Sequence, residues 1–562
     1  MLTTVMRWLG ATVIATLVVG ATPFPSAAAS NAYDPTKIDR WFLNQVLAAQ
    51  TSDFDVIVRS IPAAAKKRAD RAAAAIAREG GKAKHALPIV GGASARLKGT
   101  QILKLTRDAG VDYVVKDIKL KATFDPATDS AKAGTPGILE VGAPSAWSQL
   151  GATGQGVGVA VVDSGVYAHP DLAGRIAAAI DFTAAVPTVS ATPLGDPGGH
   201  GTHVAGLVAG DGSSSAGLYT GVAPRARIID VRVIDATGTS NVSTILRGLQ
   251  WVLANRATYS IKVVNMSFGA TPLGTYKTDL LATAAEVLNF AGMTVVVSAG
   301  NGGPGAATIT TPATDPYVVT VGAVDDNATP LLADDLMASF SGRGRTPFDD
   351  LVKPDVVAPG RRMVSLRVPG STLDTLYPDR QVTALGATEP AYFRLSGTSM
   401  AAPIVSGVVA LMYERNSSLS PAQMRKRLKT TATPLAYGTT LDRGAGMVNA
   451  LAAAASVDTS KDYAQDRVTD AFAKDMRQFI QGQPLVWRDL QYNGGVDSSG
   501  ATWEAVTWET IKWDGITWEN LMWEGFTWEG VSWEGVSWEA VTWETTVQLT
   551  TNESVSSWLA LD

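Results

Sequence analysis

Strand-like apolar runs alternate with helical runs from residue 136 to residue 455, and no other feature narrows the folds open to this chain so far. The strand-like runs fall at 157–162, 228–233, 261–266, 294–297 and 318–321 and are rich in Val and Ile, which fit a pleated, buried surface. Helical runs fall at 241–255 and 276–291, and a third follows at 398–414. Ser420-Pro421 opens one more helix, because Ser accepts from the first free N–H groups and Pro lacks the N–H that would go unpaired. Strands separated by helices cross over and pair in parallel, so the expectation is one large α/β domain over 131–456, a parallel sheet covered by helices. At 562 residues the chain is too long for that domain alone.

Upstream, a strand at 54–58, a helix at 62–79, strands at 86–90 and 93–97, a helix at 99–109 and a strand at 113–115 follow a β-α-β-β-α-β order, an α+β ferredoxin-like unit. Residues 117–135 are polar, carry no periodic signal and read as a linker. Residues 1–132 hold 19 Lys and Arg against 11 Asp and Glu, whereas the rest holds 28 against 41, so a basic head precedes an acidic body. An acidic body gives nucleic acid no electrostatic footing. With no Cys, disulfides, thiolate metal sites and Cys nucleophiles are excluded together. Ahead of the head, Arg7, the apolar run 8–21 and Ala27-Ala28-Ala29 read as a secretory signal peptide over 1–29. That run is shorter than the roughly twenty residues of a spanning helix, and no later run is long enough, so a secreted product without a transmembrane anchor is expected.

The tail is unlike either unit. After a polar linker at 457–500, Trp recurs every five residues through 501–545, from Trp503 and Trp508 to Trp538 and Trp543, nine of the chain's fifteen. Each is followed by Glu or Asp, and most are preceded two positions earlier by Val, Ile, Leu or Phe. Five helical steps of about 100° leave the sixth residue about 140° away, and five strand steps land on the opposite face, so neither a continuous helix nor a continuous strand aligns these Trp. What remains is a chain that turns once per repeat, or an extended ribbon laid on a surface. Its role stays open between a cap packed on the body, a module for a cell-surface or matrix partner, and an extension that is removed. Residues 546–562 close the chain.

Three segments of the body put reactive side chains at a strand end or a helix start, where open α/β sheets build their sites. In Val161-Val162-Asp163-Ser164-Gly165 the Asp closes an apolar strand, although alone it reads more readily as a residue capping a turn. His200-Gly201-Thr202-His203-Val204-Ala205-Gly206 holds two of only four His in the chain, and without Cys these are poor material for a zinc site. His203, one turn further into the helix, reads as a supporting residue. In Ser396-Gly397-Thr398-Ser399-Met400-Ala401-Ala402-Pro403, Ser399 starts a helix whose free N–H groups and dipole favour an anion.

These segments, in the order Asp, His, Ser, resemble those of the subtilisin-like serine proteases, the subtilases. The resemblance extends to Gly221-Val222-Ala223-Pro224, Asn265-Met266-Ser267-Phe268-Gly269, Ser298-Ala299-Gly300-Asn301 and Lys353-Pro354-Asp355-Val356-Val357-Ala358-Pro359-Gly360. It implies a three-layer subtilisin-like fold and a serine endopeptidase that hydrolyses peptide bonds through an acyl-enzyme. Carried over residue by residue, Ser399 is the nucleophile, His200 the general base and then acid, and Asp163 the group that fixes the imidazole tautomer and stabilises its cation. A Ser hydroxyl is too weak a nucleophile without such an oriented base. Asn301 matches the side-chain donor of the oxyanion hole, with the Ser399 backbone N–H as second donor. Gly238-Thr239-Ser240 and Ser267-Phe268-Gly269 resemble the strands between which a peptide docks. The head, over 30–130, resembles the family's inhibitory propeptide, and its basic charge complements the acidic body. Its removal is expected by cleavage within 118–135.

Two departures from the family pattern stand out. No cofactor is required for the chemistry, and a structural calcium is an open question: Asp171, in His169-Pro170-Asp171-Leu172, resembles a calcium ligand, whereas Ser213-Ser214-Ser215-Ala216-Gly217 lacks the amide or carboxylate expected beside it. The stretch from Arg361 to Arg394 is longer than the usual connection into the Ser motif, so an inserted loop is expected to overhang the site. The expected partners are protein or peptide substrates and the chain's own propeptide.

Overall fold

The computed structural model describes residues 32–61, 65–122, 138–329 and 331–462. The expected signal peptide, the linker beyond 462, the Trp repeat and the 546–562 tail lie outside the described residues.

The head comprises α1 (Arg40–Ala48), β1 (Asp53–Ser60), α2 (Ala65–Arg78), β2 (Ala83–Leu87), β3 (Gly92–Lys98), α3 (Gly99–Arg107) and β4 (Val111–Lys116). Its strands form one antiparallel sheet in the order β2-β3-β1-β4, as a split β-α-β unit requires. Phe42, Val56, Val58, Ile76, Leu97 and Ile102 fill the space between sheet and helices. The sequence reading missed α1, whose nine residues bury only Phe42, Leu43 and Val46, too brief an apolar pattern to stand out. The run 86–90, read as one strand, divides after Leu87 into a 3-10 turn, because Pro88 has no N–H for a ladder.

A larger difference follows. Residues 117–135, read as a linker, begin with β5 (Lys119–Ala122), which pairs antiparallel with two strands of the body. Its Lys-Leu-Lys-Ala sequence is polar because the pairing, rather than an apolar run, makes the strand. Leu120 is buried.

The body contains α4 (Ala143–Leu150), β6 (Gly158–Asp163), β7 (Ile176–Asp181), β8 (Val189–Ser190), α5 (His200–Ala209), β9 (Arg227–Arg232), β10 (Thr239–Asn241), α6 (Val242–Asn255), β11 (Ile261–Met266), β12 (Phe268–Gly269), α7 (Leu280–Phe290), β13 (Thr294–Ser298), β14 (Val319–Asp325) and β15 (Leu336–Met337). It continues through β16 (Gly344–Arg345), β17 (Val352–Lys353), β18 (Val356–Pro359), β19 (Met363–Leu366), α8 (Thr372–Leu376), β20 (Gln381–Val382), β21 (Tyr392–Leu395), α9 (Thr398–Arg415), α10 (Pro421–Thr431), α11 (Thr440–Arg443) and α12 (Ala450–Ala455).

The main sheet has the order β15-β14-β13-β11-β6-β9-β7-β8, with β18 also beside β14. Its interior pairs are parallel, and β15 and β8 join antiparallel. Alternate residues of each strand feed two cores, so Val159 and Val161 pack with α4, α5, α9 and α12, whereas Ala160 and Val162 pack with α6 and α7. This makes three layers. Helix α9 is buried from Thr398 to Tyr413 and carries apolar residues all round, as a helix enclosed by protein does.

The head sits on the α6 and α7 face, where Ile57, Leu87, Ile89, Val90 and Leu120 join the body's buried cluster. Asp117 accepts from the Ser243 N–H at 2.9 Å and the Ser243 hydroxyl at 2.5 Å, so a head carboxylate caps α6, whose own Asn241 makes no capping bond. At the other end the chain stays docked beyond the expected boundary at 456. The buried Arg425 donates to Asp462 Oδ2 at 2.8 Å and to its carbonyl at 2.7 Å. Among the described residues no helix is long and apolar enough to cross a membrane.

Candidate active site

Three neighbouring strands of the main sheet end at one level. Val162 of β6 pairs with Met266 of β11, which pairs with Val297 of β13. The next residues, Asp163, Ser267 and Ser298, therefore line the carboxyl edge side by side, all buried. Helices α5 and α9 start at this edge.

His200 is the first residue of α5, and its Nδ1 lies 2.7 Å from Asp163 Oδ1. A Cβ on Gly201 would stand 2.3 Å from the Gly165 carbonyl and 3.1 Å from Asp163 Cβ, so only glycine lets α5 approach the Asp163 strand this closely. Donation from Nδ1–H to the carboxylate makes Nε2 the basic nitrogen of the ring. Burial disfavours the imidazolium, but the charge and hydrogen bond of Asp163, joined by the charge of Asp196, outweigh it and hold the His200 pKa above its ordinary value.

Ser399 follows Thr398 in the first turn of α9. Its hydroxyl donates to the Ser267 carbonyl at 3.0 Å, and its carbonyl accepts from the Ser267 hydroxyl at 3.0 Å. Asn265 supports this pair from below, donating to Ser267 Oγ and accepting from Ser406 Oγ, each at 2.9 Å. Asn301 lies three residues beyond β13. Its Oδ1 accepts from the Thr398 N–H and hydroxyl, both at 2.9 Å, which orients the amide and leaves its buried Nδ2 without a hydrogen-bond partner among the described residues. Two N–H hydrogens are thereby offered beside the turn that carries Ser399, an arrangement able to receive negative charge developing on an oxygen.

Of the six residues read as substrate-binding, Thr239, Ser240, Phe268 and Gly269 pair with the chain's own β5. Thr239 faces Lys121, Ser240 faces Leu120, Phe268 faces Ala122 and Gly269 faces Lys121. Gly238, at φ +77°, forms the turn into β10, and Ser267 holds Ser399.

Asp171 is wholly buried, but its Oδ1 accepts from the Ser213 hydroxyl at 3.1 Å and the Ser214 N–H at 2.9 Å, and its Oδ2 from the Tyr392 hydroxyl at 2.6 Å. Both oxygens are spent on neutral donors, and among the described residues no group of three or more His, Asp or Glu is placed to hold an ion. The residues around Asp171 do not fit a calcium site.

His203 has the supporting place read for it. Its Nε2 lies 3.1 Å from the Met363 and Phe393 carbonyls, and burial, then the nearby His200, push its pKa down to about 3, so it is neutral. Those carbonyls belong to β19 and β21, which form the two ends of the inserted stretch. The insert folds back onto the His200 loop, with the Thr372 N–H on the Pro197 carbonyl at 2.9 Å and the Leu373 N–H on the Gly198 carbonyl at 3.2 Å. The sequence reading missed Asp196 and Ser164, which brace this loop. An Asp in a Gly- and Pro-rich loop reads locally as a turn residue, and its partners appear only when β6 and α5 meet.

The subtilase family model matches residues 154–449, just over half of the chain. The chain is 38% identical over 351 residues to the serine protease AprX of Bacillus subtilis, covering 62% of this chain and 75% of that protein. It is 35% identical over 382 residues to subtilisin E of the same organism, covering 67% and 84%. Among solved structures, fervidolysin from Fervidobacterium pennivorans, a keratinolytic enzyme related to subtilisin, shares the fold with a TM-score of 0.57 at 24% identity, over 73% of this chain and 62% of that one. Motif order, three-layer fold and a family match of this extent agree, and the chain belongs to the subtilase family as a serine protease of the subtilisin type.

Proposed function

We propose that this chain is the precursor of a secreted endopeptidase whose head blocks its own substrate track until the enzyme cuts it away. The observation that carries the reading is β5: Lys119–Ala122 lies between β10 and β12, antiparallel to both, where a peptide substrate would add a strand. It runs from Gly269 at Lys121 to Phe268 at Ala122, toward Ser267 and the Ser399 hydroxyl bonded to it. The bond cut during maturation therefore follows Ala122, within 123–135.

In the reaction, Ser399 Oγ attacks the scissile carbonyl carbon while its proton passes to His200 Nε2. Asp163, 2.7 Å from Nδ1, holds the ring and stabilises the imidazolium. The oxyanion takes hydrogen bonds from Asn301 Nδ2 and the Ser399 N–H. Collapse of the intermediate expels the amine, which takes the proton from His200, and leaves an acyl-Ser399. Water, deprotonated by the same His200, then releases the acid and restores the hydroxyl.

Ser399→Ala tests both parts. It is expected to abolish hydrolysis of an unstructured protein, and mass spectrometry of the product from a host lacking other proteases is expected to show the head still attached. Wild-type protein that resists a serine-directed sulfonyl fluoride while cleaving substrate refutes the catalytic reading. Removal of the head from Ser399→Ala in that host refutes self-processing alone.

A further inference from the structure

Asp196 lies four residues before His200, is 3% exposed, and accepts four hydrogen bonds. Its Oδ1 takes the Gly199 N–H at 2.7 Å and the Ser164 hydroxyl at 2.8 Å, and its Oδ2 takes the Thr202 N–H and hydroxyl, both at 2.8 Å. The donors come from two elements. Gly199 and Thr202 flank His200 at the start of α5, whereas Ser164 follows Asp163 at the end of β6.

Ser164 extends the connection on both sides. Its N–H donates to Asp163 Oδ1 at 2.8 Å, and its hydroxyl accepts from the Gly201 N–H at 2.9 Å. The N–H groups of Gly199, Gly201 and Thr202 thus all end on Asp196 or Ser164. Helix starts expose such N–H groups, and a residue that only capped α5 would account for Gly199 and Thr202. It would not account for Ser164. The same carboxylate grips the residue joined to Asp163, so its position sets the spacing between Asp163 and His200.

We propose that Asp196 is a positioning residue of the catalytic site, a single carboxylate that clamps the Asp163 strand end and the His200 helix start to one another. The proposal rests on the roles given above to Asp163 and His200. Its charge also faces the imidazole, where it adds to that of Asp163 in favouring the cation. Among the described residues the other titratable and charged groups around this pair are His203 on α5 and Asp230 and Arg232 on β9, and the Asp230 pKa is pushed well above its ordinary value by burial first and then by the charge of Asp196. A clamp of this kind acts on rate rather than on binding, because nucleophile, base and orienting acid must be held within fractions of an ångström.

The test uses the full precursor carrying Asp196→Asn or Ser164→Ala, matured and counted by titration with a serine-directed phosphonate. The constants kcat and KM per titrated site are measured on a peptide anilide from pH 5 to pH 10. In Asp196→Asn, kcat is expected to fall about tenfold or more with KM within about twofold, as for a misplaced catalytic group. The acid limb of kcat/KM is expected to move to lower pH, because the imidazolium loses one of its two favourable charges. Ser164→Ala keeps the Asp196 charge and loses the tether, so kcat falls while the acid limb stays. If Asp196→Asn yields no folded enzyme, Ser164→Ala decides: a reduced kcat per site supports the clamp, and a wild-type kcat overturns it. A lower Tm with wild-type kcat per site and an unmoved acid limb in Asp196→Asn marks a plain helix cap and also overturns it. Wild-type enzyme that the phosphonate does not label sinks instead the catalytic assignment on which the proposal stands.

Discussion

In the proposed reaction Asn301 has two separable jobs, and two substitutions divide them. Its Nδ2 is the donor available to an oxyanion, while its Oδ1 caps the first turn of α9, whose Gly397 has no side chain to do so. Asn301→Leu removes both. Loss of one oxyanion donor costs about 2.7–4 kcal/mol of transition-state stabilisation, or about two to three orders of magnitude in kcat. The Thr398 N–H and hydroxyl, in a residue of 0% exposure, also lose their acceptor. Each buried donor left unsatisfied costs about 1–3 kcal/mol, so the variant is less stable by several kcal/mol as well. Asn301→Asp keeps the acceptor and loses the donor, and its charge opposes the oxyanion. It is therefore expected to unfold near the wild-type temperature yet lose at least as much kcat as Asn301→Leu. The assay is kcat on a peptide anilide per site titrated with a phosphonate, beside thermal unfolding of the phosphonate-inhibited enzyme, which cannot digest itself. A kcat for Asn301→Asp within a few-fold of wild type refutes the donor role, and equal Tm losses in the two variants refute the capping argument.

Two further outcomes are expected. Glu140 is pushed up to about 10 and Asp335 to about 7, in each by burial first and then by neighbouring carboxylates, so the folded state binds more protons here than the unfolded chain. Stability from this cluster is greatest at low pH and is lost as pH rises from about 4 through these values. Glu140→Gln should accordingly raise the Tm of the inhibited enzyme more at pH 9 than at pH 5, and an equal change at both pH values contradicts the linkage. At the carboxyl end, a chain ending at Asp462 should mature and unfold like the full chain. One ending at Ser456 strips Arg425, 2% exposed, of two bonds from a charged group, each worth about 1.5–3 kcal/mol, and should unfold at lower temperature; coincident transitions for the two truncations show that 457–462 add nothing.

The sequence alone determined the central sheet, because strands such as Gly158–Asp163 are buried on both faces and must be apolar up to their last residue whatever lies beside them. It also singled out Asp163, His200, Asn301 and Ser399 as candidate site residues, since each lies in a distinctive local motif, and the structure puts Asp163 against His200 and Asn301 against the Thr398 turn that carries Ser399. The head's β-α-β-β-α-β order was legible for the same local reasons. Strand β5 was not, because Lys119–Ala122 becomes a strand only by pairing with β10 and β12, far downstream in the chain. Nor were the docking of Asp462 on Arg425, the use of both Asp171 oxygens by Ser213, Ser214 and Tyr392, or the grip of Asp196 on Ser164. Apolar periodicity reports how one segment meets an averaged interior. Hydrogen bonds between remote polar groups depend on which two surfaces come together, and only the tertiary structure decides that.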